Sequence, residues 1–540
     1  MTPHWDYLVL TASNTRQAQS YSAQLHERRT RGMLPGIRNL MVVSDPYNRR
    51  VGSGGSTLHC LAQTLNRELP SSAASWTAIE QALKTLKILI VHAGGDSRRL
   101  PAYGPCGKVF TPVPGVPTDL WPCALLDRLL PPLEALGREG PDGQVVIASG
   151  DALLLFDPRA ANVSAPGVTM LASGADPEEA GRHGVFCTGE GGSLTRFLQK
   201  ADPAKQARNG AIQPDGRSLL DIGVMSLDTD AALSLLRGFC VAPGSKDLIE
   251  IAAPWSERIS AYGLDLYREI CCALGSEASF TTYLQDAQEA GSGWPAETLS
   301  ELYQLIHRLP ASVRKLDACK FLHFGASREL LSSGLELMEM DCGRKPDHEI
   351  ILTNCRFGAG GAILGAAAWL EACRIENRVS LGGDNVVVGV DVAAPLSLAR
   401  GACLDLLRGT PASEQPVWFV RCYGVDDTFK TPPGKEALFC NRPVADWLQS
   451  VHADDASIWD PELPESQRIL WTARLFPTER RHEDYARWLW MFAPDRATDS
   501  QKEAWRRTRR YSCEEIALAA DHKDFFRRRA DLFREQRQPG

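Results

Sequence analysis

Ten consecutive residues carry the densest chemistry in the chain: His92-Ala93-Gly94-Gly95-Asp96-Ser97-Arg98-Arg99-Leu100-Pro101, followed closely by Gly107-Lys108. Paired glycines permit positive φ and let a base or a phosphate approach the backbone. Amides freed by such a turn form an anion-binding nest. Two arginines and a lysine nearby supply cations for a polyphosphate. The stretch is not a Walker A loop, because Val109 follows Lys108 where Ser or Thr is required. It also matches a dinucleotide fingerprint poorly. Taken alone, the same residues suit a surface turn with solvated charges.

Gly52-Ser53-Gly54-Gly55-Ser56-Thr57 is a second Gly-rich loop before a helical stretch, either a phosphate cradle or a plain loop-to-helix junction. Asp151 ends an apolar run, where a carboxylate can hold a divalent metal against nucleotide phosphates. A strand-terminal Asp is equally a helix cap or turn residue. Asp265, in Leu264-Asp265-Leu266-Tyr267, is a second carboxylate of the same kind or an exposed helical one.

These residues need a scaffold. Ile88-Leu89-Ile90-Val91 and Val145-Val146-Ile147-Ala148 are short continuous apolar runs ending in Gly-rich turns, the pattern of buried parallel strands. Cys123 to Leu136 between them has helical spacing, as does Leu58 to Leu65 before the break at Pro70-Ser71-Ser72. Strand, loop, helix and strand in that order predict a doubly wound α/β sheet, and its carboxyl edge is where ligands bind. Residues 1–40 read as a polar helical segment and 41–315 as the α/β domain. From 316 to 445 the texture changes: Ile350-Ile351-Leu352, Ala362-Ile363-Leu364 and Val386-Val387-Val388 alternate with Gly and Asn, which suggests an irregular parallel β-helix. Residues 446–540 read as helical, with Trp471, Trp488, Trp490 and Phe492 available for an apolar face.

Composition bounds the rest. A chain of 540 residues with 44% hydrophobic and 23% charged residues buries more than one core. The net charge of -7 gives no overall pull toward nucleic acid or anionic membrane. Arg506-Arg507-Thr508-Arg509-Arg510 and Arg527-Arg528-Arg529 are interleaved with Glu514, Glu515, Asp521 and Asp531, so they read as solvated helix faces. No apolar run approaches the length that spans a bilayer. The 15 cysteines, an odd number with no CxxC, fit a reducing cytoplasm.

The segment His92 to Pro114, HAGGDSRRLPAYGPCGKVFTPVP, resembles the fucose-1-phosphate guanylyltransferase family, also found as the N-terminal half of bifunctional fucokinase/GDP-fucose pyrophosphorylases. Further stretches agree in order: SDPYNRRVGSGGST from Ser44, IASGDALL from Ile147, RHGVF from Arg182, FLQK from Phe197, DIGV from Asp221, FLHFGASRELL from Phe321 and RCYGVDDTFK from Arg421. The resemblance covers nearly the whole chain. It implies a nucleotidyltransferase fold, then a β-helical domain and a helical C-terminal region. The implied reaction is GMP transfer from GTP to L-fucose 1-phosphate, with Mg²⁺ as cofactor.

By matching motifs, Gly94, Gly95 and Ser97 line the nucleotide, with Arg98, Arg99 and Lys108 on its phosphates and Lys108 the foremost catalytic candidate. Gly52, Gly54 and Gly55 belong to the same nucleotide-binding set. Asp151 ligates the metal, with Asp265 as second ligand. Lys200 contacts the sugar phosphate, Asp221 and Gly223 form a sugar-contacting turn, and His183 and Gly184 lie near the sugar. Three departures stand out: Asp96 where Gln is expected, Cys106 for Ser, and Ser56 for Gly. Asp96 either accepts from the guanine N1–H and amine or faces solvent. Expected partners are GTP, L-fucose 1-phosphate and a fucokinase, as a separate chain or a fused domain. The rival readings are transfer to another sugar 1-phosphate and a non-catalytic nucleotide-sugar sensor.

Overall fold

Tyr7-Leu8-Val9-Leu10 has no polar face, and it forms the middle of strand β1 (Trp5–Ala12), which is buried along almost its whole length. The first forty residues are therefore not a helical segment. Only Thr15–Thr30 is helical there, and β2 (Ile37–Ser44) follows. An unbroken apolar run of four is a strand buried on both faces, a signal that the polar residues after Ser13 outweigh in a forty-residue window.

The computed structural model describes residues 3–536 apart from 70–74, 116–120, 242–247, 347, 413–414, 428 and 434–435. The Pro70-Ser71-Ser72 break and Thr428 of RCYGVDDTFK thus lie outside the described residues. The chain is a mixed α/β protein and divides into two compact units, Met1–Gly94 with Leu129–Phe321, and Gly95–Arg128 with Leu322–Gly540. This grouping departs from a division at 40, 315 and 445 in three places, one being that Leu322–Gly540 is undivided at 445. The first forty residues belong with the large sheet, and 95–128 belong with the C-terminal residues.

In the first unit, β2, β1, β3 (Lys87–His92) and β4 (Gln144–Ser149) run parallel and adjacent. After a turn at Gly150-Asp151 the chain forms β5 (Ala152–Phe156). Beyond β4 the order continues with β9 (Ser218–Leu227), β6 (Val168–Ala175) and β10 (Ala311–Leu316). β9 is antiparallel to both β4 and β6. A hairpin of β7 (Gly184–Thr188) and β8 (Leu194–Gln199) joins β9 through β7. Because β1, β3 and β4 are parallel, the segments after them, Ser13, Gly94 and Gly150-Asp151, share one edge of the sheet. The helix Gly52–Glu68 buries Leu58, Leu61 and Leu65 in the same core.

The second unit contains three parallel ladders. Ile350–Thr353, Ala368–Glu371 and Asn385–Val388 form one; Arg356–Phe357, Arg374–Ile375 and Asp391–Val392 a second; Ala362–Gly365, Arg378–Leu381 and Leu396–Leu398 a third. Each residue pairs with one 16 to 18 places further on, as Ala362 with Arg378 and Ile350 with Ala368. The helix Ser327–Cys342 packs on the first ladder at Gly334, where a Cβ would lie 2.7 Å from Ile351 and 2.9 Å from Trp369. The first ladder continues into Ala402–Gly409, then antiparallel into Val417–Gly424 and Phe476–Glu479. The last hundred residues thus extend a sheet as well as supplying helices. Trp471 and Trp488 are buried there, and the helix His522–Glu535 closes the unit. Its arginines, with the other basic run nearby, are largely paired within the fold: Arg528 with Asp391, Arg529 with Glu371, Arg506 and Arg507 with Glu503.

Among the described residues no helix is long and apolar enough to cross a membrane, and all 15 cysteines are free thiols.

Candidate active site

In the first unit the sheet edge gathers polar groups. The Thr11 hydroxyl, near the end of β1, accepts hydrogen bonds from the amides of Ala93 and Gly94, both at 3.0 Å. His92 ends β3 with its Nε2 2.9 Å from the Thr57 hydroxyl. Burial pushes the imidazole down to about 4, against the opposing pull of Asp265, so His92 is neutral near pH 7. Past β4, the Ser149 hydroxyl donates to Asp151 Oδ1 at 2.8 Å.

Asp221 and Gly223 reach the same edge through an irregularity in β9, whose register with β6 shifts between Met170 and Ala172. Gly223 has φ +72°, its amide donates to Asp221 Oδ1 at 2.8 Å, and a Cβ there would lie 3.0 Å from that of Ser149. Burial pushes the Asp221 carboxyl up to about 7. Gly184 lets β7 lie against β8 and β9, since a Cβ would meet Phe197 at 2.4 Å and Asp221 at 3.2 Å. His183 packs edge-on against Phe321, and its carbonyl accepts from the amide of Lys200, an exposed residue at φ +53°.

Tyr267 is the residue that sequence reasoning passed over. Burial, then the charges of Asp221, Asp265 and Asp151, raise its phenol well above the ordinary value, so its hydroxyl stays protonated amid three carboxylates. It sits on a π-helical turn, Leu266–Ile270, a local form frequent at functional sites. Its position two residues after Asp265 was the available signal.

Asp265 and the glycine loop turn out to be partners. Asp265 Oδ1 accepts from the amides of Tyr267 and Arg268, and its Oδ2 from the Ser53 hydroxyl at 3.3 Å. The carboxylate therefore caps a turn, and both its oxygens are engaged. Gly52 to Thr57 is not a loop ahead of a helix but the first turns of Gly52–Glu68. The amides of Gly54 and Gly55 both donate to the Leu264 carbonyl, and a Cβ on Gly52 would lie 2.3 Å from that oxygen. These glycines admit the backbone at Leu264, and two of their amides are already paired.

A divalent cation fits this unit only in part. Among the described residues no group of three or more His, Cys, Asp and Glu is placed to hold a metal ion. Asp151 can offer carboxylate oxygen, with remaining positions left to water and substrate phosphate, the usual mode for Mg²⁺. Asp265 is poorly disposed to serve beside it.

The second unit carries the rest of the signature segment. Gly95 has φ +118°, which favours glycine, and Ser97 adopts φ +54° despite its Cβ. Ser97 is 3% exposed, and its hydroxyl has no hydrogen-bond partner among the described residues, nor has that of fully buried Thr111. A buried orphan hydroxyl at a strained position marks a place that a ligand or water completes. Asp96 accepts from Arg98 Nε at 3.0 Å, so its carboxylate is matched to a cation of its own loop. Lys108 is half-buried at the start of a 3-10 turn, Lys108–Phe110, after Gly107 at φ +71°. The Cys106 thiol lies against the carbonyls of Tyr103, Gly107 and Phe110, and burial raises its pKa, so it replaces a hydroxyl without becoming reactive.

The chain is thus a mixed α/β protein with carboxylates at a sheet edge of its first unit and a cationic glycine loop in its second. The chain belongs to the fucose pyrophosphorylase domain family, which matches residues 80–481. It is 25% identical to the bifunctional fucokinase/GDP-fucose pyrophosphorylase of Arabidopsis thaliana, over 95% of this chain and 51% of that one. It is 25% identical to the L-fucokinase/L-fucose-1-P guanylyltransferase of Bacteroides fragilis, over 91% and 48%. With the fucose-1-phosphate guanylyltransferase of Homo sapiens it shares 26% identity over 88% and 81%. The chain thus spans about half the length of the two bifunctional relatives.

Proposed function

We propose that this protein transfers GMP from GTP to L-fucose 1-phosphate. A phosphate oxygen of the sugar phosphate attacks the α-phosphorus in line, the bond from α-phosphorus to the bridging oxygen breaks, and pyrophosphate leaves with GDP-L-fucose as product. The attacking oxygen is already anionic, so the chemistry calls for positioning and charge neutralisation rather than a general base. The observation that carries the reading is the orphan Ser97 hydroxyl, held at positive φ in a loop that also bears Arg98, Arg99 and Lys108.

In this reading Gly94, Gly95 and Ser97 line the nucleotide, while Arg98, Arg99 and Lys108 neutralise its phosphates. Asp96 holds Arg98. Asp151 would ligate Mg²⁺, which supplies charge compensation on phosphate oxygens. His183, Gly184, Lys200, Asp221 and Gly223 serve the sugar phosphate, and the protonated Tyr267 hydroxyl is a donor beside them. We read the sheet around β1 as a doubly wound, nucleotidyltransferase-like sheet, and the three ladders as the faces of a parallel β-helix. Free thiols throughout agree with a cytoplasmic setting. A fucokinase, separate or fused, would supply the sugar phosphate.

The test is pyrophosphate release from GTP and β-L-fucose 1-phosphate, with and without Mg²⁺. Metal-dependent release with GDP-fucose as product is the expected result. Folded protein that releases nothing with this pair but turns over another sugar 1-phosphate would move the substrate. Binding of GDP-fucose without any turnover would replace the enzyme with a sensor.

A further inference from the structure

Two stretches that the resemblance carries, but to which no chemistry has been given, are FLHFGASRELL and RCYGVDDTFK. Both meet the signature segment inside the second unit. Ser327 donates its amide to the Arg99 carbonyl at 2.9 Å. Arg421, at 1% exposure, donates Nη2 to the Pro101 carbonyl at 3.0 Å and Nε to Asp405 Oδ1 at 2.6 Å. Asp405 is itself 2% exposed and stands directly opposite Arg421 across the antiparallel pair Ala402–Gly409 and Val417–Gly424. The Pro101 carbonyl also accepts from the Gly104 amide at 3.0 Å, so the guanidinium fixes a tight turn at its first residue.

A second buried pair lies under the same turn. The Tyr103 hydroxyl accepts from Trp369 Nε1 at 2.8 Å and lies 3.4 Å from Glu371 Oε2, the oxygen to which Arg529 is bonded. One side of the loop is thereby pinned at Arg99, Pro101 and Tyr103. Arg98 and Asp96, just ahead of the first pin in sequence, keep side chains about a quarter exposed.

Buried ion pairs of this kind add little to stability, since apolar residues of similar volume do as well or better. What a buried guanidinium does offer is a rigid fork that satisfies a carboxylate and a carbonyl together. We propose that Arg421, held by Asp405, is a positioning residue that sets the conformation of the Ser97–Lys108 loop for GTP. The inference rests on the reading that this loop binds the nucleotide.

The experiment compares wild type with Arg421→Met/Asp405→Leu, which removes the pair without stranding a charge, and with Arg421→Lys, which keeps the charge but lacks the fork. Three quantities are read on the full chain: the thermal midpoint, amide exchange across residues 98–111 without nucleotide, and KM against kcat for GTP. The expected result in both variants is a midpoint within a few degrees of wild type, faster exchange at the Tyr103 and Gly104 amides, and KM raised at least tenfold with kcat changed less than threefold. Unchanged exchange, or faster exchange with unchanged KM, overturns the proposal. Should the double variant not fold, Arg421→Lys decides by the same criteria. A wild-type chain that releases no pyrophosphate counts against the proposed reaction alone, because the exchange comparison needs no substrate and still decides whether Arg421 sets the loop.

Discussion

The two units solve the placement of charged side chains in opposite ways. The first gathers Asp151, Asp221 and Asp265 around the Tyr267 phenol at a sheet edge. The second buries ion pairs, Arg421 with Asp405 and Arg529 with Glu371, beneath a loop whose Arg98 stays partly accessible. Buried ion pairs are suited to hold geometry rather than to add stability. In our reading the first arrangement is that of a site and the second that of a mount.

The comparison can be broken at several points, in order of expected effect. Lys108→Ala and Asp151→Asn should each lower kcat/KM for pyrophosphate release by about a hundred- to a thousand-fold, the usual loss of one transition-state contact, with folding unchanged by circular dichroism. Near-normal rates in both would remove the site from where we place it.

Gly52→Ala tests whether the first glycine loop packs or binds. A methyl 2.3 Å from the Leu264 carbonyl at φ +77° should cost about 3 kcal/mol, read as a lower unfolding midpoint. A raised KM for GTP with an unchanged midpoint would instead restore the loop as a phosphate cradle.

Asp427→Asn probes the mount. That carboxylate accepts from the amides of Gly424, Cys440 and Asn441, and the amide replacement leaves at least one of them facing an NH₂ group. A loss of about 2 kcal/mol is expected, visible in denaturant unfolding, with KM little affected.

The smallest effect concerns pH. The folded-state pKa of Asp221 is raised, to about 7 from an ordinary value near 3.8. The native state therefore holds a proton that the unfolded chain has released, and stability falls as pH climbs from about 4 to about 7. Asp221 is partly solvated, so its share should be about 1 kcal/mol. Asp221→Asn should flatten that limb of the unfolding profile, and an unaltered profile would show that the carboxyl is ionised throughout.

Much of this was legible beforehand. The runs Ile88–Val91 and Val145–Ala148 are apolar on both faces and became β3 and β4. The loop after β3 also announced itself by its glycines and cations. What eluded the sequence was long-range. Nothing local says that Leu264 would take up the amides of Gly54 and Gly55, and a Gly-rich run before a helix reads the same whether it admits a phosphate or a neighbouring loop. Tyr7–Leu10 was lost among polar neighbours. Tyr267 is unremarkable until the bulged β9 brings Asp221 and Gly223 toward it. The pairing of 95–128 with residues hundreds of positions later leaves no periodic trace.

That last pairing has a consequence for the chain on the ribosome. Residues 95–128 emerge early, yet the guanidinium that seats Pro101 is made about 300 residues later, and at roughly 5–20 residues per second that interval is on the order of 15–60 s. The large sheet can be synthesised in full while its most chemically dense excursion is still without a bed. A nascent chain stalled or cleaved in that interval would display an unseated cationic loop, the species that chaperones must shield until translation reaches Arg421 and then Arg529.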